Sequence, residues 1–179
     1  EVTRAMAEQS NPVATPRPAP TPESLQFRNS VALFATGIAV VTMDDGSGGV
    51  HGATINSFTS ISLDPPTVMI SLKPGSAHSL ISDSGWYGVS VLSDSQKNHS
   101  SYFAGKRDVE FAPEFVAGET VPTLLGSLAR FECKVFETIN VHDHTLFLAR
   151  VMRCESEVGS PLMFFASSYH QPVLGDQSR

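Results

Sequence analysis

The chain has 179 residues, 41% of them hydrophobic, with 13 Gly, 12 Pro, only two Cys, and 12 Lys+Arg against 18 Asp+Glu for a formal net charge of −6. That length predicts one domain of ordinary size whose apolar side chains bury a core without staples, which excludes disulfide-rich, disordered and collagenous classes. A sequence pI near 5.4 argues against nucleic acid as the main partner, because phosphate neutralisation needs clustered Lys and Arg. The same charge repels anionic ligands, so any phosphate group must be held by a few local donors. No run approaches the roughly 18 apolar residues of a membrane span, and residues 1–22 carry no apolar stretch of the secretory type. With Cys133 and Cys154 alone, a cytoplasmic home and two buried free thiols are expected.

Five of the twelve prolines fall in residues 1–22, which hold almost no large apolar side chain. Such a segment cannot offset its ordering entropy by burial and reads as a flexible arm ahead of a domain over 23–179. Arg4 and Arg17 balance Glu1 and Glu8, so the whole charge of −6 belongs to the domain. Phe27, Val31 and Phe34 recur at helical spacing and predict a helix over 23–35, capped by Ser24 and stopped by Gly37. A β-branched run over 38–43 then leads into the turn sequence Asp44-Asp45-Gly46-Ser47-Gly48-Gly49. Further strands are expected over 51–58, 67–72, 87–92, 130–139 and 144–154. In the fifth of these six strands, Phe131, Cys133 and Val135 alternate with Arg130, Glu132 and Lys134, which predicts one core face and one wet face. Helices are expected over 76–84, ending at Gly85, and over 93–104, opening with the Ser93-x-x-Gln96 capping box and ending at Gly105. Residues 106–122 form a long connection, functional or mobile at that length. Six or more strands with about three short helices predict a mainly β, Greek-key barrel, not a doubly wound sheet.

Several signatures are missing. The Gly46-Ser47-Gly48-Gly49 turn does not match G-x-G-x-x-G and leads into a strand, and there is no Walker loop, no G-x-S-x-G elbow and no Cys-x-x-Cys pair. The densest polar stretch is Gly52-Ala53-Thr54-Ile55-Asn56-Ser57-Phe58-Thr59-Ser60. Alternation would place Thr54, Asn56 and Phe58 on one face and Ile55, Ser57 and Thr59 on the other. The stretch reads equally as a hydroxyl-rich edge strand or as a site for a polar heterocycle, since buried hydroxyls and amides need partners. In Ser71-Leu72-Lys73-Pro74-Gly75-Ser76-Ala77-His78 a strand ends in a Gly turn and a helix begins beside a lysine, a competent anion site. Ser76 as a plain helix cap and Lys73 as a solvated charge is the alternative. On a strand, His142 and His144 of His142-Asp143-His144 would point the same way, but no third ligand follows from spacing, so no metal site is expected. His144 at a strand start could position a ligand or exchange a proton.

In combination, Phe27-Arg28, Phe34-Ala35-Thr36-Gly37-Ile38-Ala39-Val40-Val41-Thr42, the 52–60 stretch, Ser62-Leu63-Asp64-Pro65-Pro66, Asp143-His144-Thr145 and Pro161-Leu162 resemble the flavin reductase family. The resemblance spans roughly residues 25–172. It implies the FMN-binding split barrel, a homodimer, and a reductase that uses NADH or NADPH to reduce free FMN or FAD for a separate flavin-dependent oxygenase. By resemblance, Thr54, Ile55, Asn56, Ser57 and Phe58 would line the isoalloxazine ring, while Ser71, Leu72, Lys73, Ser76 and Ala77 would hold the ribityl chain and phosphate. His144, as the catalytic candidate, and Ser168 with Tyr169 would border the nicotinamide. An enzyme with tightly bound FMN acting on its own substrate, or a flavin-binding module without catalysis, shares the same features. Two positions depart from the family pattern: His142 stands where Gly often precedes the Asp-His pair, and His78 where a small hydroxyl residue is usual. Lys106-Arg107 is a candidate for a nicotinamide 2′-phosphate.

Overall fold

The computed structural model describes residues 20–106 and 110–172. Most of the arm expected over 1–22, and Arg107 of the Lys106-Arg107 pair, lie outside the described residues. In chain order the elements are α1 (Pro22–Val31), β1 (Thr36–Gly37), β2 (Ala39–Asp44), β3 (Val50–Ile55), β4 (Thr59–Leu63), β5 (Pro66–Leu72), α2 (Ser76–Ser84), β6 (Trp86–Val91), a 3-10 turn (Asp94–Gln96), α3 (Lys97–Phe103), β7 (Phe115–Val116), β8 (Thr123–Leu124), β9 (Ala129–Val141), β10 (His144–Ser156), β11 (Met163–Phe165) and β12 (Ser168–His170).

Seven strands form one antiparallel sheet in the order β3-β2-β6-β9-β10-β5-β4. Its two edges, β3 and β4, are consecutive in the chain and joined by residues 56–58 alone, so Ile55 and Thr59 lie at most about 14 Å apart. The sheet therefore curls until its edges nearly meet, with no ladder between them. The predicted strand over 51–58 breaks at this split: Asn56 and Ser57 leave the ladder. The Ser57 hydroxyl stitches the seam, accepting from the Ser71 N–H and donating to the Ser71 carbonyl, both at 3.1 Å.

β2 explains the layout of the core. Ala39, Val41 and Met43 point into the barrel with Val68, Ile70, Tyr87, Val89 and Phe147, whereas Ile38 and Val40 join Leu92, Leu124 and Leu162 in a second cluster outside it. A strand buried on both faces reads as the continuous apolar run seen over 38–41. α2 closes one end of the barrel through Ile81, which is fully buried, and stops where Gly85 takes a φ of 72°. The Ser93–Gln96 capping box forms as expected.

Three expectations are corrected. α1 is capped by Thr21, whose Oγ1 accepts from Ser24 N–H, and Pro22 with its preset φ opens the first turn. The helix ends at Val31, because Ala32 accepts from Ala166 N–H and the chain turns into β1, which contains Gly37 and pairs with β11. Glu132 does not face water: it is 7% exposed and its carboxylate accepts from the N–H groups of Glu119 (3.2 Å) and Thr120 (2.8 Å) in the long connection. The thiols differ as well, Cys133 being buried and Cys154 exposed. Burial pushes the Cys133 thiol up to about 12. A disulfide-exchange reagent at pH 8 is thus expected to titrate Cys154 rapidly and Cys133 only on unfolding; two rapid thiols would contradict this packing.

Candidate functional site

Three clefts run together along the split and the α2 and α3 side of the barrel. Cleft A, about 440 Å³, lies between the β5–α2 turn and the end of α3, with Leu72, Lys73, Ser76, Ala77, Gly52 and Phe103 in its wall. Cleft B, about 250 Å³, shares Ala104 with cleft A and adds Ile38, Thr54, Ile55, Asn56, Ser100 and Tyr169. Cleft C, about 440 Å³, shares Ile38 and Asn56 with cleft B and is mostly apolar, with Phe34 and Phe58.

Cleft A is built for an anion. Gly75 occupies the N-cap of α2 and supplies no side-chain acceptor, so the N–H groups of the first turn are left to whatever enters the cleft. Lys73 stands beside them. In this structure its Nζ lies 2.8 Å from Asp143 Oδ2, and Asp143 Oδ1 lies 2.8 Å from His144 Nδ1. The Lys73 hydrogen bond, followed by that from His144, holds the Asp143 carboxyl down to about 2. His78 points inward: its Nε2 is 2.9 Å from Thr145 Oγ1, which itself donates to Asn140 Oδ1, and its ring meets Phe147 edge-on at 5.2 Å.

Cleft B offers donors and acceptors around an apolar slot. Ser100 is fully buried and acts as its hub: its carbonyl accepts from Thr54 Oγ1 at 2.7 Å, and its hydroxyl lies 2.9 Å from Tyr169 Oη. Thr54 and Tyr169, 115 positions apart in the chain, thereby meet through a residue that sequence reasoning did not single out. The capping box located the start of this helical stretch but not the face it would present. Asn56 carries no side-chain hydrogen bond among the described residues, and it lines both clefts B and C. Phe103 and Gly52 were also missed as wall residues; a Cβ on Gly52 would sit 2.7 Å from the Phe103 ring, so only glycine lets β3 and α3 approach this closely.

Of the predicted site residues, Thr54, Ile55, Asn56, Phe58, Leu72, Lys73, Ser76, Ala77 and Tyr169 line these clefts. Ser57 and Ser71 close the seam between them. Ser168 pairs with Phe165 at the end of a hairpin whose turn residues, Ala166 and Ser167, have φ of 47° and 62°. His144 stands by Lys73, held through Asp143, whereas Tyr169 stands by Ser100; no hydrogen bond or ring contact links the two among the described residues. His142 is not on a strand. It is the first residue of the two-residue turn between β9 and β10, with a φ of 51°, which removes the premise that it shares a face with His144. A fourth cavity, about 230 Å³ under the 116–119 loop, is lined by Arg130 and Arg153. Both are already engaged, Arg130 with Glu155 and Glu157 and Arg153 with Glu119 and Glu155.

Comparisons with known proteins identify the family. A family model described as flavin reductase like domain matches residues 31–172. The chain is 53% identical over 156 residues to the NADH-dependent flavin reductase StyB of Pseudomonas fluorescens, covering 85% of this chain and 92% of that protein. Among solved structures, the styrene monooxygenase flavin reductase SMOB of Pseudomonas putida S12 superposes with a TM-score of 0.79 at 53% identity, covering 83% of this chain and 98% of that one. The flavin reductase PheA2 does so with a TM-score of 0.80 at 35% identity, covering 84% and 98%. Matched over residues 31–172 by that family model, and over most of its length by such relatives, the chain belongs to the flavin reductase family.

Proposed function

We propose that this protein is an NADH-dependent flavin reductase that supplies reduced FMN or FAD to a partner flavin-dependent monooxygenase. The observation that carries the reading is the adjacency of clefts A and B: the lysine and free N–H groups of cleft A lie next to a slot that shares Ala104 with it and whose polar rim suits a heterocycle with donors and acceptors on one edge. In this reading Lys73 and the first-turn N–H groups of α2 hold the flavin phosphate, with Ser71, Leu72, Ser76 and Ala77 along the ribityl chain. Thr54, Ile55, Asn56, Ser57 and Phe58 orient the ring, with Ser100 fixing Thr54 and Tyr169 in place. His144, with Ser168 and Tyr169, borders the nicotinamide and orients it. When bound, the two cofactors supply the hydride chemistry themselves, so the protein's work is stacking, alignment and exclusion of water. Hydride transfer between the two cofactors requires no paired general acid and base from the protein.

The names of the relatives favour NADH, since StyB and a flavin reductase of Rhodococcus sp are both called NADH-dependent. A homodimer is part of the proposal. α1 buries none of its residues and exposes Leu25, Phe27 and Val31, followed by Leu33 and Phe34, a surface that a second copy would cover.

The test is a steady-state matrix of NADH and NADPH against FMN and FAD, followed at the nicotinamide absorbance band. NADH is expected to be consumed with at least one flavin, and no turnover in any of the four pairings would overturn the reading. Flavin that stays with the protein through gel filtration would instead favour an enzyme with tightly bound FMN.

A further inference from the structure

We propose that Asp143 is an internal occupant of the phosphate clasp: its carboxylate holds Lys73 when no phosphate is bound, and so sets how far the cleft favours FMN over phosphate-free riboflavin. The inference rests on the phosphate reading of cleft A above. Its ground is the placement of one carboxylate between two groups assigned to different ligands. The register of β5 against β10 pairs Leu72 with Thr145, so Lys73, the next residue on one strand, emerges level with the β9–β10 turn. That turn is a fixed two-residue link, and Asp143 within it reaches Lys73 with one oxygen and His144 with the other, each at 2.8 Å. Both carboxylate oxygens are therefore in use.

A phosphate and a carboxylate are alternative partners for one ammonium group. The Lys73 side chain is 49% exposed and that of Asp143 67%, so one anion can replace the other without disturbing the core. The competitor also persists at working pH. A carboxyl held near 2 contributes its pairing above the ordinary carboxylate range and loses it only as pH falls through about 2, so Asp143 stays ionised from pH 5 to 8. Lys73 consequently meets every incoming phosphate already paired with a carboxylate. Flavin is held less tightly than Lys73 alone would hold it, which suits a reductase that must release its product to a partner.

The test titrates FMN and riboflavin separately, by quenching of flavin fluorescence, into the wild type and four variants: Asp143→Asn, Lys73→Gln, the double variant, and Glu137→Gln. Glu137→Gln removes the same charge from β9 away from the turn. An exposed ion pair of this kind modulates affinity by about two- to fivefold. Asp143→Asn is expected to tighten FMN by that factor and leave riboflavin unchanged, while Glu137→Gln changes neither by as much. In the Lys73→Gln background, Asp143→Asn is expected to lose its effect on FMN. The proposal is overturned if Asp143→Asn leaves FMN unchanged or weakens it, if Glu137→Gln tightens FMN equally, or if the gain survives the loss of Lys73. If Lys73→Gln itself leaves the ratio of FMN to riboflavin affinity unaltered, the phosphate reading of cleft A fails, and this proposal with it.

Discussion

Truncating Phe147 to alanine is expected to destabilise the protein by about 3–5 kcal/mol, measured as a shift in the denaturant midpoint at constant slope. Phe147 is fully buried on β10, among the side chains that fill the barrel. The cost has two parts: the lost transfer of a large ring from water, and the cavity left by neighbours held on strands and unable to collapse into it. Total stabilities of single domains are about 5–15 kcal/mol, so this one change removes a large share. It also removes the ring against which His78 stands edge-on, and His78 is a wall residue of cleft A. Phe147→Leu, which keeps most of the volume, is expected to cost about 1 kcal/mol. A loss below about 1 kcal/mol for Phe147→Ala would mean that the barrel interior is not packed around this ring.

The second large effect is expected at Gly52. Gly52→Val should raise the apparent flavin Kd at least tenfold while the far-ultraviolet circular dichroism stays that of the wild type. Gly52 sits on β3 opposite Thr42, at the edge strand, so its replacement leaves the ladder intact. A Cβ there would lie 2.7 Å from two carbons of the Phe103 ring and 3.1 Å from the Val41 carbonyl. The ring is the part able to yield. Phe103 packs against Phe115 and also lines cleft A, so displacing it alters the wall on which ligand binding depends. The alanine variant places one carbon in the same contact and should show a smaller rise. Unchanged flavin affinity in Gly52→Val would separate cleft A from the flavin site.

Much of the barrel could be read from local pattern. The span of α2 and its stop at Gly85 followed from one glycine-terminated stretch, and the Ser93–Gln96 box announced the helical turn after β6. The β-branched run over 38–41 and the alternation in β9 placed the central strands to within a few residues. The stretch over 52–60 stood out because five polar side chains, Thr54, Asn56, Ser57, Thr59 and Ser60, need partners in an apolar setting, and nine of the thirteen predicted site residues line the three clefts.

Other features depended on partners far along the chain. Glu132 alternates like a solvent-facing residue, and only the fold of residues 119–120 over it supplies the N–H groups that let it be buried. Cys154 occupies an apolar-looking strand yet is exposed, in the part of β10 beyond the register shift at Met152. α1 has the spacing of a buried helix but buries nothing within the chain. Ser100 became the hub of cleft B through contacts 46 and 69 positions distant. By itself the sequence determined a mainly β domain, the ends of α2, several turns, and an acidic balance under which any anion must be held by a few local donors. The tertiary structure decided which carboxylate faces Lys73 and how the clefts join. Propensity and periodicity act over a few neighbouring residues, whereas a cleft is made where strands from distant parts of the chain are brought to a common edge.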